Sequence, residues 1–177
     1  MAADTYRIDV ISDTHGYLPP EALAACEGAD LIVHAGDICG DDILPDLECV
    51  APVIAVLGNN DWPGEYGPNV GGVARFIRCG VTFKVTHIPE RLGELDARVC
   101  ICGHTHRALV QQVGACTVVN PGSVSRPRDG GGPSMARITL GEGCVRQVQI
   151  LRLDDLRRDG GSLGAPADGR MPGVPRG

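Results

Sequence analysis

Tyr6-Arg7-Ile8-Asp9-Val10-Ile11-Ser12-Asp13-Thr14-His15-Gly16 is the stretch that decides the fold. Its first half reads as a short strand that stops at Asp13. Pro19-Pro20-Glu21 then opens a helix through Ala22 to Cys26, with proline tolerated in the first turn. Leu31-Ile32-Val33 is a second apolar strand, ending at Asp37. Asp41 or Asp42 can cap a second helix, in which Pro45 is confined to an early position or forces a kink. Val53 to Leu57 is a third strand, closed by Gly58-Asn59. Apolar strands alternating with helices predict a parallel sheet covered on both faces.

Further along, the rhythm changes. Trp62 to Gly72 is rich in Pro, Gly and Asn and reads as an irregular loop. Hairpins follow: Val73–Arg78 with Val81–Thr86, Arg107–Val113 with Ala115–Val119, and Ser134–Leu140 with Cys144–Leu153, each around a glycine-containing turn. One short helix, Pro89 to Asp96, and one strand, Arg98 to Cys102, lie between them. The expected architecture is an α/β protein, with two stacked mixed sheets flanked by helices. Residues 1–156 should form one domain. From about Asp154 apolar periodicity fades, so 157–177 are expected to be a disordered tail.

With 177 residues and a 43% hydrophobic fraction, the chain can bury one sizeable core. A net charge of −6 and 3% aromatics disfavour nucleic acid as a partner, which calls for arrayed cations or stacking rings. The start of the chain lacks a basic region followed by an apolar stretch, and nowhere is there an apolar run long enough to span a bilayer. No membrane partner and a cytoplasmic location are therefore expected. Eight cysteines without a Cys-x-x-Cys pair then read as reduced thiols.

Four of the five histidines lie beside isolated Asp, Asn and Gly residues that follow apolar strands: Asp13-Thr14-His15-Gly16, Gly36-Asp37, Gly58-Asn59-Asn60-Asp61, Thr86-His87 and Gly103-His104-Thr105-His106. Carboxylate, amide and imidazole donors delivered to strand ends suit borderline divalent metals. Asp37 is the natural bridge between two cations, which would then lie roughly 3.5 to 4 Å apart, close enough to polarise one phosphoryl group together. His34, inside the second strand, reads instead as a hydrogen-bonded core residue.

The ordered series Asp-x-His, Gly-Asp, Gly-Asn-x-Asp, His and Gly-His-x-His resembles the calcineurin-like metallophosphoesterase superfamily. Asn120-Pro121-Gly122-Ser123 is similar to its small bacterial and archaeal phosphodiesterase branch. The resemblance implies a four-layer α/β/β/α sandwich and two divalent metal ions, manganese first, with iron, nickel or zinc as alternatives. It implies one metal on Asp13, His15, Asp37 and His106, and the other on Asp37, Asn59, His87 and His104. The activity expected on this basis is hydrolysis of small phosphoesters, phosphodiesters foremost, by a hydroxide bridging the metals.

Asp61 is expected to support catalysis by orienting a metal ligand from behind, as carboxylates commonly do for metal-bound imidazoles. Arg126, or Arg128 beside it, is expected to bind substrate through a guanidinium fork, and Asn60 also to face substrate. Many larger members carry histidine at the position of Asn60, and an amide has no titratable proton to give. Ile88 stands where the superfamily usually has glycine, which requires a φ below zero there. The competing expectation is a non-catalytic scaffold of the same fold that binds protein partners. Hairpin edges also leave room for a homo-oligomer.

Overall fold

The computed structural model of the chain describes residues 5–159. In chain order the elements are β1 (Tyr6–Ile11), α1 (Pro20–Ala25), β2 (Leu31–His34), α2 (Ile43–Glu48), β3 (Val53–Ala55), β4 (Val73–Arg78), β5 (Val81–Thr86) and a 3₁₀ turn (Pro89–Leu92). They continue with β6 (Val99–Ile101), β7 (Ala108–Val113), β8 (Cys116–Pro121), β9 (Ser134–Gly141), β10 (Cys144–Arg152) and α3 (Leu153–Asp159). The expected tail lies outside the described residues from 160 onward. Among the described residues no helix is long and apolar enough to cross a membrane.

Two five-stranded sheets form, ordered β10-β9-β1-β2-β3 and β4-β5-β6-β8-β7. β1, β2 and β3 run parallel, as their unbroken apolar sequences demand. In the second sheet β5, β6 and β8 are also parallel, although the sequence there reads as successive hairpins. β6 inserts between strands of two hairpins, which local turn chemistry cannot specify. Six parallel strands therefore send their carboxyl ends toward one edge of the sandwich.

The core lies in layers. Ile8, Val10, Leu31 and Val33 face Phe83, Val85, Val99, Ile101 and Val119 between the sheets. Ile11, Ile32, Leu47, Met135 and Leu153 form a second cluster beneath α1, α2 and α3. Leu92, Cys100, Cys102 and Cys116 cover the other outer face, so the fourth layer is reduced to the 3₁₀ turn. All eight cysteines are free. Pro45 sits in the first turn of α2, where a missing N–H costs little. α3 occupies a stretch that the sequence pattern reads as losing order, and Leu153 is fully buried.

Buried Asp9 accepts from Arg7 and from Arg137 Nε at 2.8 Å, and both guanidinium groups also reach the Ala25 carbonyl at the end of α1. The paired cations satisfy the carboxylate and the helix's last carbonyls together.

His34 is fully buried: its Nδ1 accepts the Gly36 amide at 3.2 Å and its Nε2 lies 3.0 Å from the Thr14 hydroxyl. Burial pushes its pKa down to about 3. The folded protein thus keeps the ring neutral where the unfolded chain, with a pKa near 6.5, takes a proton. The folded-state value lies below the unfolded one, so unfolding free energy should fall as pH drops from about 6.5 toward 3. Urea unfolding of His34→Gln should show a shallower pH slope over that window. An unchanged slope would refute the assignment.

Candidate metal centre

The turns after β1, β2 and β6 place side chains where all three strands end. Asp13, His15, Asp37 and His106 each offer a ligand atom, and these atoms all lie within 4.8 Å of one another. His106 Nε2 is 3.1 Å from Asp13 Oδ1 and 3.2 Å from His15 Nε2. His15 Nε2 is 3.7 Å from Asp37 Oδ2.

From β5, His87 brings its Nε2 to 3.3 Å from Asp37 Oδ2 and 3.9 Å from Asp13 Oδ1. The His104 ring packs edge-on against that of His87, with centroids 5.3 Å apart, and its backbone amide donates to Asp13 Oδ2 at 3.2 Å. Asn59 is exposed, near the start of the loop after β3. The amide that touches Asp37 is that of Asn60, whose Nδ2 donates to Oδ2 at 2.7 Å while its backbone N–H donates to Oδ1 at 2.9 Å. Asn60 is thus turned toward a carboxylate, whereas the sequence reading set it facing substrate.

The donors fit a cation. Nδ1 of His87 lies 2.8 Å from the Ala35 carbonyl and Nδ1 of His106 lies 2.6 Å from the Arg126 carbonyl. A carbonyl only accepts, so both Nδ1 atoms carry a proton and both rings turn Nε2 inward. Asp13 Oδ1 and His87 Nε2 are buried without a hydrogen-bond partner in the described structure. Such orphaned acceptors are costly unless a positive charge joins them.

Backbone strain concentrates at the same place. Asp13, His15, Asp37, His104 and His106 have φ values of 56, 47, 54, 67 and 58°. Left-handed conformations at residues other than glycine persist only where the surroundings over-determine them. Ser123 and Ser125 hydroxyls clamp the Asp13 carbonyl at 2.8 and 2.9 Å. Asn120 Nδ2 donates to the Gly103 carbonyl at 2.7 Å, tying β8 to the histidine turn. The sequence marks Ser123 only as part of the Asn120-Pro121-Gly122-Ser123 motif and gives no sign of Ser125, because the partner of both hydroxyls is a backbone atom remote in sequence. Ile88 has a φ of −84°, so its branched side chain adds no strain.

Asp61 acts on the loop of a ligand carboxylate, not on an imidazole. Its carboxylate accepts the amides of Ile38 at 2.9 Å, Cys39 at 2.9 Å and Gly58 at 2.7 Å. The left-handed turns at Asp37 and Cys39 aim successive N–H groups at one point, and an anion is what such a nest requires. Asp61 is therefore a positioning residue for the Asp37 loop. Asp61→Ala leaves three amides short of an acceptor and should cost about 3 kcal/mol in urea unfolding. It should also weaken metal binding about 10- to 100-fold, as read by metal titration. Asp61→Asn should recover part of both losses.

The charges are tuned apart. Burial raises the pKa of Asp13 against the pull of Ser12, His87 and His106. Burial also opposes ionisation of Asp37, but the His87 ring beside it and the donors of Asn60 outweigh it and hold that carboxyl far below its usual range. His15 is lowered by burial, with Arg126 among the positive charges that add to the effect. Exposed Arg126 thus brings its charge within electrostatic reach of the centre from the loop between β8 and β9.

Comparison with known proteins agrees with this geometry. Residues 6–143 match the family model described as the calcineurin-like phosphoesterase superfamily domain. The chain is 36% identical over 137 residues to a protein named "Probable metallophosphoesterase" from Methanothermobacter thermautotrophicus, covering 68% of this chain and 78% of that one. Among solved structures, Yfce, a phosphoesterase from E. coli, has 26% identity and a TM-score of 0.63, with 81% of this chain and 98% of that one covered. An archaeal protein described as a novel phosphodiesterase shares the fold at a TM-score of 0.68 and 23% identity, covering 82% and 99%. With the ordered motifs, the two-sheet sandwich and the matched model in agreement, the chain belongs to the calcineurin-like phosphoesterase superfamily.

Proposed function

We propose that this protein hydrolyses small phosphodiesters with the help of two divalent cations, manganese foremost. Asp13, His15, Asp37 and His106 would hold one cation, and Asp37, Asn59, His87 and His104 the other. Bound there, the cations would supply Lewis acidity toward water and toward a phosphoryl oxygen. Two features of the chain prepare the site. Asn60 donates to Asp37 and keeps that carboxylate ionised and oriented, and Asp61 fixes the loop that carries it. Arg126 is available to meet an anionic phosphate at the mouth, where a guanidinium can bind two oxygens at once.

The observation that carries this reading is the convergence of inward-facing imidazole nitrogens on two carboxylates, with Asp13 Oδ1 and His87 Nε2 left unpartnered. A scaffold that only bound proteins would have no use for such a costly arrangement. The net charge of −6 favours a small substrate over nucleic acid.

Elemental analysis of the purified chain should find a transition metal. Chelation and dialysis should abolish cleavage of bis(4-nitrophenyl) phosphate, and manganese should restore it. Full activity after the metal is removed would overturn the proposal.

A further inference from the structure

The chain holds one Trp, three Tyr and two Phe. Four of these six rings are used inside the fold. Phe76 stacks on Phe83 at 4.8 Å, Tyr6 packs against the central core, and Tyr66 packs beneath α2 with its hydroxyl 3.2 Å from the Gly40 amide. The other two, Tyr17 and Trp62, are 57% and 76% exposed. Both stand on the loops that carry candidate ligands, Tyr17 two residues after His15 and Trp62 directly after Asp61. The loop after β2 lies between them: Cys39 Sγ is 3.9 Å from His15 Nδ1 and 3.9 Å from the Asn60 carbonyl. An apolar ring left in water beside a polar centre, in a chain so poor in rings, is a surface for stacking.

A second observation concerns the leaving group. The Asn60 side chain, next to Asp37, is an amide and spends its N–H on that carboxylate. It offers no proton to a departing alkoxide. A departing phosphate needs none, since its second pKa is about 6.

We propose that the substrate is a small nucleotide held by Tyr17 and Trp62 through its base, and that the bond cleaved is its phosphoanhydride. This rests on the hydrolase reading above and names its substrate class. Each phosphorus of a disubstituted diphosphate carries two bridging oxygens, as in a phosphodiester. The oxygen of water bonds to one phosphorus as the bridging P–O bond breaks. The electron pair leaves with the second phosphate, and both protons of water pass to buffer. Arg126, exposed on the loop whose carbonyl holds His106, is placed to meet the added negative charge.

Trp62 is the single tryptophan, so its fluorescence reports binding directly. With the zinc-loaded chain, AMP should quench it saturably, while ribose 5-phosphate, which lacks the base, should not. The wild-type protein should convert ADP-ribose to AMP and ribose 5-phosphate. Replacing both rings, Tyr17→Ala with Trp62→Ala, should raise KM for ADP-ribose about tenfold or more with kcat little changed. Absence of AMP quenching, or an unchanged KM, in a protein that still cleaves bis(4-nitrophenyl) phosphate would overturn this inference alone. Absence of any hydrolysis under any metal would overturn the hydrolase reading and this inference with it.

Discussion

Asp37→Asn is expected to lower hydrolysis of bis(4-nitrophenyl) phosphate by at least about a thousandfold and to abolish stoichiometric binding of a second metal. Asp37 is the carboxylate nearer to His15 and to His87, 3.7 Å from His15 Nε2 and 3.3 Å from His87 Nε2. Asparagine keeps the shape, accepts the left-handed φ of 54°, and retains an oxygen for the Asn60 amide. What it loses is the charge that two cations would share.

Stability should change much less. The folded state holds the Asp37 carboxyl well below its ordinary pKa despite burial, so the ionised group stabilises the protein above the unfolded value near 3.9. That contribution is lost as pH falls toward the depressed value. At neutral pH the variant should therefore melt only a few degrees lower, by about 2–4 °C for each kcal/mol lost. Activity within tenfold of wild type would show that Asp37 does not carry the chemistry.

Gly58→Ala is expected to damage both fold and site. A Cβ at Gly58 would lie 2.1 Å from Asp37 Oδ1 and 2.2 Å from the Asp37 backbone nitrogen. Backbone cannot swing aside as a long side chain does, and Asp61 already pins both loops through the amides of Gly58 and Ile38. The clash must separate the ends of β2 and β3, at a cost of about 3 kcal/mol and a fall in Tm of about 10 °C. Metal affinity and hydrolysis should fall at least about a hundredfold, because small displacements of reacting groups are expensive. Gly72→Ala is the control: nothing lies within 4 Å of its added Cβ, and its melting temperature should stay near wild type. Equal behaviour of the two variants would contradict the packing described at Asp37.

Much of the centre was legible because its chemistry is written in residue type and local order. Asp13, His15, Asp37 and His106 stand in short motifs after apolar strands, and those four are the ones whose donor atoms the fold gathers. Asp61 was legible as a supporting residue but not in its partner, since the amides it binds exist as a cluster only once Asp37 and Cys39 turn left-handed. The roles of Ser123 and Ser125 were invisible because each binds a carbonyl more than a hundred residues away. Asn60 was read as facing substrate, and the short reach between two loops turned it onto Asp37.

What the sequence by itself determined was the parallel first half, the hairpins of the second, and the donor set, because apolar runs, glycine turns and ligand types are local properties. Only the tertiary structure decided that β6 pairs in parallel with β5 and β8. That pairing has no local signal, since it depends on inserting β6 between β5 and β8, strands of two different hairpins. Yet it is what carries His104 and His106 to the edge where Asp13 and Asp37 end. The tertiary structure also decided which faces stay bare, leaving Tyr17 and Trp62 in solvent on loops that carry candidate ligands while the other rings found partners in the core.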